Sequence, residues 1–218
     1  MGVSTLISRF TAYYARNGFL GTVRRTGLAI RRALFSNGMV LLYCDLTKLT
    51  SPPEDLPSSL KVERKTSYTE LSQQDLQEII NIWNPKQAHR NIKERFDRKA
   101  SLWLIRSEDR LAGYIWTLQG DTMVPHYFPL GEDDVHFFDL YVFPKCRGRA
   151  MNWVLIAHVL HELAAAGASR AFSEVAEWNQ ASLSSFTMTP FRLHGWARKV
   201  TIVHHPIVCW DENKAGRS

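Results

Sequence analysis

The stretch Val135-His-Phe-Phe-Asp-Leu-Tyr-Val-Phe143 is apolar almost throughout, and Pro144 ends it. A basic turn containing Gly148 follows, then a largely apolar segment from about Ala150 to Ala166, closed by Gly167. The first run reads as a buried strand and the second as a helix with a glycine at its C-terminal cap. A strand that feeds a helix through so short a turn implies a unit in which helices pack on a sheet.

The rest of the chain repeats that alternation. Leu60–Thr66 reads as a strand, Thr69–Trp83 as a helix with Thr69 as its cap, and Gln87–Lys99 as a polar second helix after Asn84-Pro85. Leu102–Arg106 and Leu111–Gln119 form a hairpin about Ser107–Arg110, and residues 120–134 are irregular. Beyond the long helix come a strand at Arg170–Ala176, a short helix at Asn179–Thr189 ended by Pro190, and strands at Trp196–Val203 and Ile207–Trp210. Strands interrupted by helices in this order predict an α/β (α+β) domain with a mixed, partly antiparallel sheet.

Charge divides the chain differently. Residues 1–44 hold six arginines and no acid, so the remaining 21 of the 27 Lys and Arg face 21 Asp and Glu. The basic excess therefore belongs to an N-terminal arm, and the neutral body is not that of a nucleic-acid binder. Three prolines within Pro52–Pro57 place a linker there, giving an arm at 1–59, with a short strand at Met39–Cys44, and a domain at 60–218. Arg9/Arg16, Arg24/Arg31 and Arg25/Arg32 recur at seven-residue spacing, which puts each pair on one helical face. Residues 1–35 could lie on anionic lipid through that face, or pack on their own domain with the arginines in solvent. Cys44, Cys146 and Cys209 are too widely spaced for a zinc site and odd in number for a disulfide framework, so a reducing, cytoplasmic setting is expected. No run reaches the roughly 18 apolar residues of a membrane span, and no stretch reads as a secretory leader, although an acid-free N-terminus also suits a transit peptide.

The basic turn has a chemistry of its own. The first N–H groups of a helix lack internal partners and carry the positive end of its dipole, which suits phosphate. Gly148 admits close backbone approach, Ala150 nearly so, and Lys145, Arg147 and Arg149 add charge. Neither GxGxxG nor GxxxxGK[ST] is present. The segment Lys145-Cys-Arg-Gly148-Arg-Ala150 resembles the coenzyme A loop of the GNAT family of acyl-CoA N-acyltransferases, Arg/Gln-x-x-Gly-x-Gly/Ala, with Lys in the first place. Asn179 after a strand and Pro190-Phe191 after the next helix stand in the order that family uses, and the resemblance runs from about Leu60 to Trp210.

By that resemblance the sheet is twisted and largely antiparallel, carries helices on both faces and splays beside Val135–Phe143. The pantetheine of acetyl-CoA, the acyl donor, would lie against the backbone of Leu140, Tyr141 and Val142, its pyrophosphate on Arg147–Ala150, with Asn179 touching pantetheine or water. The activity implied is N-acyl transfer by direct attack of an amine in a ternary complex. A small-molecule amine such as an amino sugar is the expected acceptor, with no nucleic acid or metal; a catalytically silent acyl-CoA-binding or membrane-associated adaptor module is the alternative. The transfer needs a proton acceptor for the amine. Asp139, an acid inside an apolar strand, is the first candidate and Glu174 the second; a structural Asp139 bound to a backbone group or an Arg is the competing reading. Strict alternation would place His136 with Phe138 on one face and Phe137 with Asp139 on the other. Glu132, Asp133 and Asp134 read as a solvated turn. Where the family often has a tyrosine to protonate the departing thiolate, this chain has Phe186, which leaves water, Ser184, Ser185 or Thr187. Trp116, His126, Tyr127 and Phe128 border a possible acceptor pocket.

Overall fold

The computed structural model describes residues 38–49, 56–82, 85–123, 130–202 and 205–211, with a few isolated positions before 38. The chain divides into two compact units, Met1–Asn37 and Gly38–Ser218. Nearly all of residues 1–37, and the pocket candidates His126, Tyr127 and Phe128, lie outside the described residues.

The second unit is built on an eight-stranded sheet in the order β2-β3-β4-β5-β6-β1-β7-β8. Its strands are β1 (Gly38–Asp45), β2 (Leu60–Lys65), β3 (Ser101–Ser107), β4 (Arg110–Gln119), β5 (Asp134–Val142), β6 (Arg170–Ala176), β7 (Arg192–Ile202) and β8 (His205–Asp211). The helices are α1 (Gln73–Ile80), α2 (Pro85–Asp97), α3 (Met151–Ala165) and α4 (Gln180–Thr187). Every neighbouring pair is antiparallel except β5 and β6, which are parallel because α3 crosses between them.

One expectation is overturned. The strand assigned to the arm is β1, an internal strand of the sheet, with Val40 paired to Val175 of β6 on one side and to Trp196 of β7 on the other. Its Leu41 is fully buried. An apolar strand of this length satisfies its backbone groups on both edges only inside a sheet. The domain accordingly begins at Gly38 rather than Leu60.

The sheet separates two cores, and the period-2 alternation of β3 shows how. Trp103 and Ile105 join the core under α3 and α4, whereas Leu102 and Leu104 join the one under α1 and α2. In α3, Leu155, Ile156, Val159 and Leu160 are fully buried against the first face. In α1, Leu76, Ile79 and Ile80 fill the second. Helix α1 starts later than Thr69: a 3-10 turn at Tyr68–Glu70 comes first, and Ser72 caps the helix by accepting the Asp75 N–H at 3.0 Å.

The acids before β5 are not all solvated. Asp134 is 2% exposed, accepts both Nε and a terminal nitrogen of Arg170 at 2.7 and 2.6 Å, and takes the Gly131 N–H at 2.6 Å. Asp134 and Arg170 are register partners, so this fork clamps the start of the parallel pair.

Candidate active site

The parallel ladder of β5 and β6 is short. It runs from Asp134↔Arg170 to Phe137↔Ser173 and stops, and Ser173 Oγ closes it by donating to the Phe137 carbonyl at 3.1 Å. Beyond that rung the strands part around a cavity of about 180 Å³. Phe138, Asp139 and Leu140 form one wall; Glu174, Val175 and Ala176 form the other. Asn179, Ser182 and Phe186 of α4 close one side. The β6-facing edge of β5 therefore offers strand backbone with no strand beside it, and Leu140 and Tyr141 lie on this free stretch.

A bulge shapes the first wall. Trp116 pairs with Phe138 and Tyr114 with Tyr141, so two steps on β4 match three on β5. The extra residue is accommodated where Asp139 adopts φ +51°, a left-handed conformation that Asp tolerates better than most residues. The alternation of faces expected from the sequence breaks here. Phe137 packs edge-on against Phe191 in the α3/α4 core, at 5.4 Å between centroids. Asp139 turns instead to α2, where it accepts Arg95 Nη1 at 2.5 Å. Arg95 in turn lies 5.0 Å over the Trp116 ring and 5.3 Å over that of Phe138.

Glu174 is placed differently. Its Oε2 lies 2.6 Å from His136 Nε2, across the last rungs before the strands separate. His136 is buried and stacks on Phe138 at 5.2 Å and 15°. The cavity wall thus carries two carboxylates: Asp139 with a permanent cation and Glu174 with an imidazole.

The basic turn leads away from the free end of β5. A 3-10 turn at Pro144–Cys146 is followed by Gly148 at φ +75° and Ala150 at φ +58°, which swing the chain into α3. No atom lies within 4 Å of a Cβ built on Gly148, so the need for glycine there is conformational. Ala150 makes no side-chain cap, and the leading N–H groups of α3 begin at an exposed surface beside Lys145, Arg147 and Arg149. Arg147 folds back, donating Nε to the Val142 carbonyl at 3.2 Å with its guanidinium 5.7 Å from the Tyr141 ring.

At α4, Asn179 is the cap: its Oδ1 accepts the Ser182 N–H at 3.3 Å and its Nδ2 donates to Ser182 Oγ at 2.8 Å. Ser184, Ser185 and Thr187 donate their hydroxyl protons to carbonyls of α4 itself and do not line the cavity. Ser182 does line it, one helical turn before the buried Phe186. Sequence reasoning missed Ser182 and Arg95. Spacing from Phe186 could have found the serine; nothing local marks the arginine.

Comparison with known proteins agrees with this architecture. The sequence profile of the acetyltransferase (GNAT) family matches residues 65–187, more than half of the chain. The chain belongs to the GNAT acetyltransferase family. Among solved structures it is similar to a GNAT-family acetyltransferase from Colwellia psychrerythraea, at 12% identity and TM-score 0.53 over 72% of this chain and 52% of that one. It is also similar to a GCN5-related N-acetyltransferase from Sphaerobacter thermophilus, at 12% identity and TM-score 0.52 over 79% and 54%. At such identities the likeness concerns the fold, and this chain spans little more than half the length of either structure. No curated protein matches the chain. The mixed, mostly antiparallel sheet with helices on both faces and a splay after Phe137 is the GNAT architecture in this protein. Among the described residues, no helix is long and apolar enough to cross a membrane.

Proposed function

We propose that this GNAT protein transfers an acetyl or other short acyl group from acyl-CoA to a small-molecule amine, by direct attack in a ternary complex. The observation that carries the reading is the continuity of two features: a free strand edge on β5 beyond Phe137, and a basic turn at the start of α3 directly after it. Leu140, Tyr141 and Val142 would hold the pantetheine amides as an added strand does. The Val142 carbonyl already accepts Arg147, which fixes that arginine beside the turn. Lys145, Gly148, Arg149 and Ala150 would receive the pyrophosphate with Arg147.

Within the cavity we assign proton acceptance to Glu174 rather than Asp139. Asp139 is held against Arg95 of α2 at 2.5 Å and is engaged in that ion pair. In the reaction a C–N bond forms as the C–S bond breaks, Glu174 takes the amine proton, and the sulfur departs as thiolate. Asn179 orients Ser182, whose hydroxyl can hydrogen-bond that thiolate before solvent protonates it. An amino sugar remains the expected kind of acceptor.

The second reading, an acyl-CoA-binding module without transfer, draws on Phe186, which brings a ring and no hydroxyl to the cavity. Thermal stabilisation by acetyl-CoA, followed by thiol release across a panel of amines, separates the two. Stabilisation with amine-dependent thiol release supports the enzyme, and stabilisation without it supports the module. Absence of any stabilisation defeats both. Gly148→Asp should abolish the stabilisation, since it sets a carboxylate at the pyrophosphate site. Glu174→Gln should keep it while losing thiol release.

A further inference from the structure

His136 and Glu174 face each other where β5 and β6 part: His136 is opposite Phe172 in the parallel register, and Glu174 is the first residue after the final Phe137↔Ser173 rung. The His136 side chain is 4% exposed, and its Nε2 contacts Glu174 Oε2 at 2.6 Å. Its Nδ1 is buried and has no hydrogen-bond partner among the described residues. A buried N–H with nothing to receive it costs about 1–3 kcal/mol, and more in a charged group. A buried acceptor left bare is tolerated more often. The ring therefore carries its single proton on Nε2, aimed at the carboxylate.

That assignment fixes the charge of the cavity. Among the described residues, Asp139 and Glu174 are the two ionisable ones lining it, and Arg95 cancels the first. An imidazolium at 136 would cancel the second; a neutral ring leaves one negative charge on a lining otherwise made of apolar, hydroxyl and amide groups. Oε1 of Glu174 makes no hydrogen bond among the described residues and is the atom left for a ligand. We infer that His136 is a positioning residue, neutral and protonated at Nε2, that holds Glu174 as the one uncompensated charge of the cavity, so that the acceptor is taken up as an alkylammonium ion. The inference rests on the proposed function in placing the acceptor beside Glu174. The ammonium then gives one proton to Glu174 Oε1, the freed amine attacks the thioester carbonyl, and as the C–S bond breaks the remaining excess proton on nitrogen passes through solvent to the departing thiolate, while His136 keeps its proton throughout.

The test uses the full chain without acyl-CoA. In protein labelled with 15N at histidine, NMR correlation through the ring should show His136 neutral with the proton on Nε2. A proton on Nδ1, or on both nitrogens, overturns the inference. The 13C-carboxyl resonance of Glu174 is then followed in titrations with n-butylammonium and with n-butanol. The cation should shift it saturably and the alcohol should not; equal responses overturn the inference. His136→Leu should weaken the cation by about 10-fold or more, the equivalent of one hydrogen bond to a charged group. His136→Gln, whose amide nitrogen can stand at the Nε2 position, should recover most of the loss. A leucine variant that binds as tightly as the parent again overturns it. None of these readouts needs acyl transfer, so a protein that proves inactive removes the proposed function and leaves the histidine result to stand on its own.

Discussion

Replacing Asp139 in three ways separates a structural carboxylate from a catalytic one. The residue is 23% exposed, its partner Arg95 is 18% exposed, and its φ is +51°. A hydrogen bond between charged groups contributes about 1.5–3 kcal/mol. Asn keeps a neutral acceptor for Arg95 and tolerates the left-handed backbone, so Asp139→Asn should cost about 1 kcal/mol. Gly removes the acceptor without backbone strain, for a loss of about 2 kcal/mol. Ala removes the acceptor and pays about 1–2 kcal/mol for positive φ. Against that stands the greater unfolded-chain freedom of Gly, about 0.5–1 kcal/mol. Ala should therefore be worse than Gly by roughly 0.5–1 kcal/mol. Urea unfolding reads this directly: with a slope near 2 kcal/mol/M, the glycine midpoint should fall by about 1 M and the alanine midpoint somewhat further. Thiol release should survive in Asp139→Asn once the protein is kept below its unfolding transition. Equal midpoints for Ala and Gly would refute the strain at the bulge. An Asp139→Asn enzyme as inactive as Glu174→Gln would return the proton to Asp139.

Three further outcomes follow from the same geometry. Ala150 sits at φ +58° before α3, so Ala150→Gly should stabilise the protein by about 0.5–1 kcal/mol, raising Tm by about 1–4 °C; a lower Tm in calorimetry contradicts the backbone assignment. Ser182→Ala should lower kcat by about 10-fold or more with little change in KM for acetyl-CoA, and Ser182→Thr should retain more of the rate; an unchanged kcat removes the hydroxyl from the mechanism. At the sheet edge, Lys61, at 2.9 Å, leads Lys65 and Arg106 in holding the Glu63 carboxyl down to about 2 against its partial burial. A depressed folded-state pKa gives stability that is present above the ordinary carboxylate value and lost as pH falls through the folded one. Glu63→Gln should therefore flatten the decline in urea midpoint between about pH 4.5 and 2, and a variant whose decline matches the parent shows that the charge cluster does not contribute.

The elements that could be read from the sequence are those in which local pattern and tertiary demand agree. The apolar run at Val135, the glycine after α3 and the strand–helix order each carry a local signal, and the run and the helix before the glycine lie within one residue of their expected places. What the sequence concealed depends on contacts between distant residues. Met39–Cys44 looks like any apolar strand; only its pairing with both Ala171–Ala176 and Arg192–Arg198 makes it part of the domain. Alternation placed Asp139 with Phe137, and a single inserted residue in β5 turned it to Arg95, 44 positions away. That one bulge decides the chemistry of the cavity. Without it, Asp139 would share the face of Phe137, inside the α3/α4 core and on the side of the sheet away from His136 and Glu174, beyond the reach of Arg95. A carboxylate buried among apolar side chains with no partner is costly. By sending Asp139 to α2, the bulge gives it Arg95 as a partner, and Glu174, braced by His136, is the carboxylate we propose as the base.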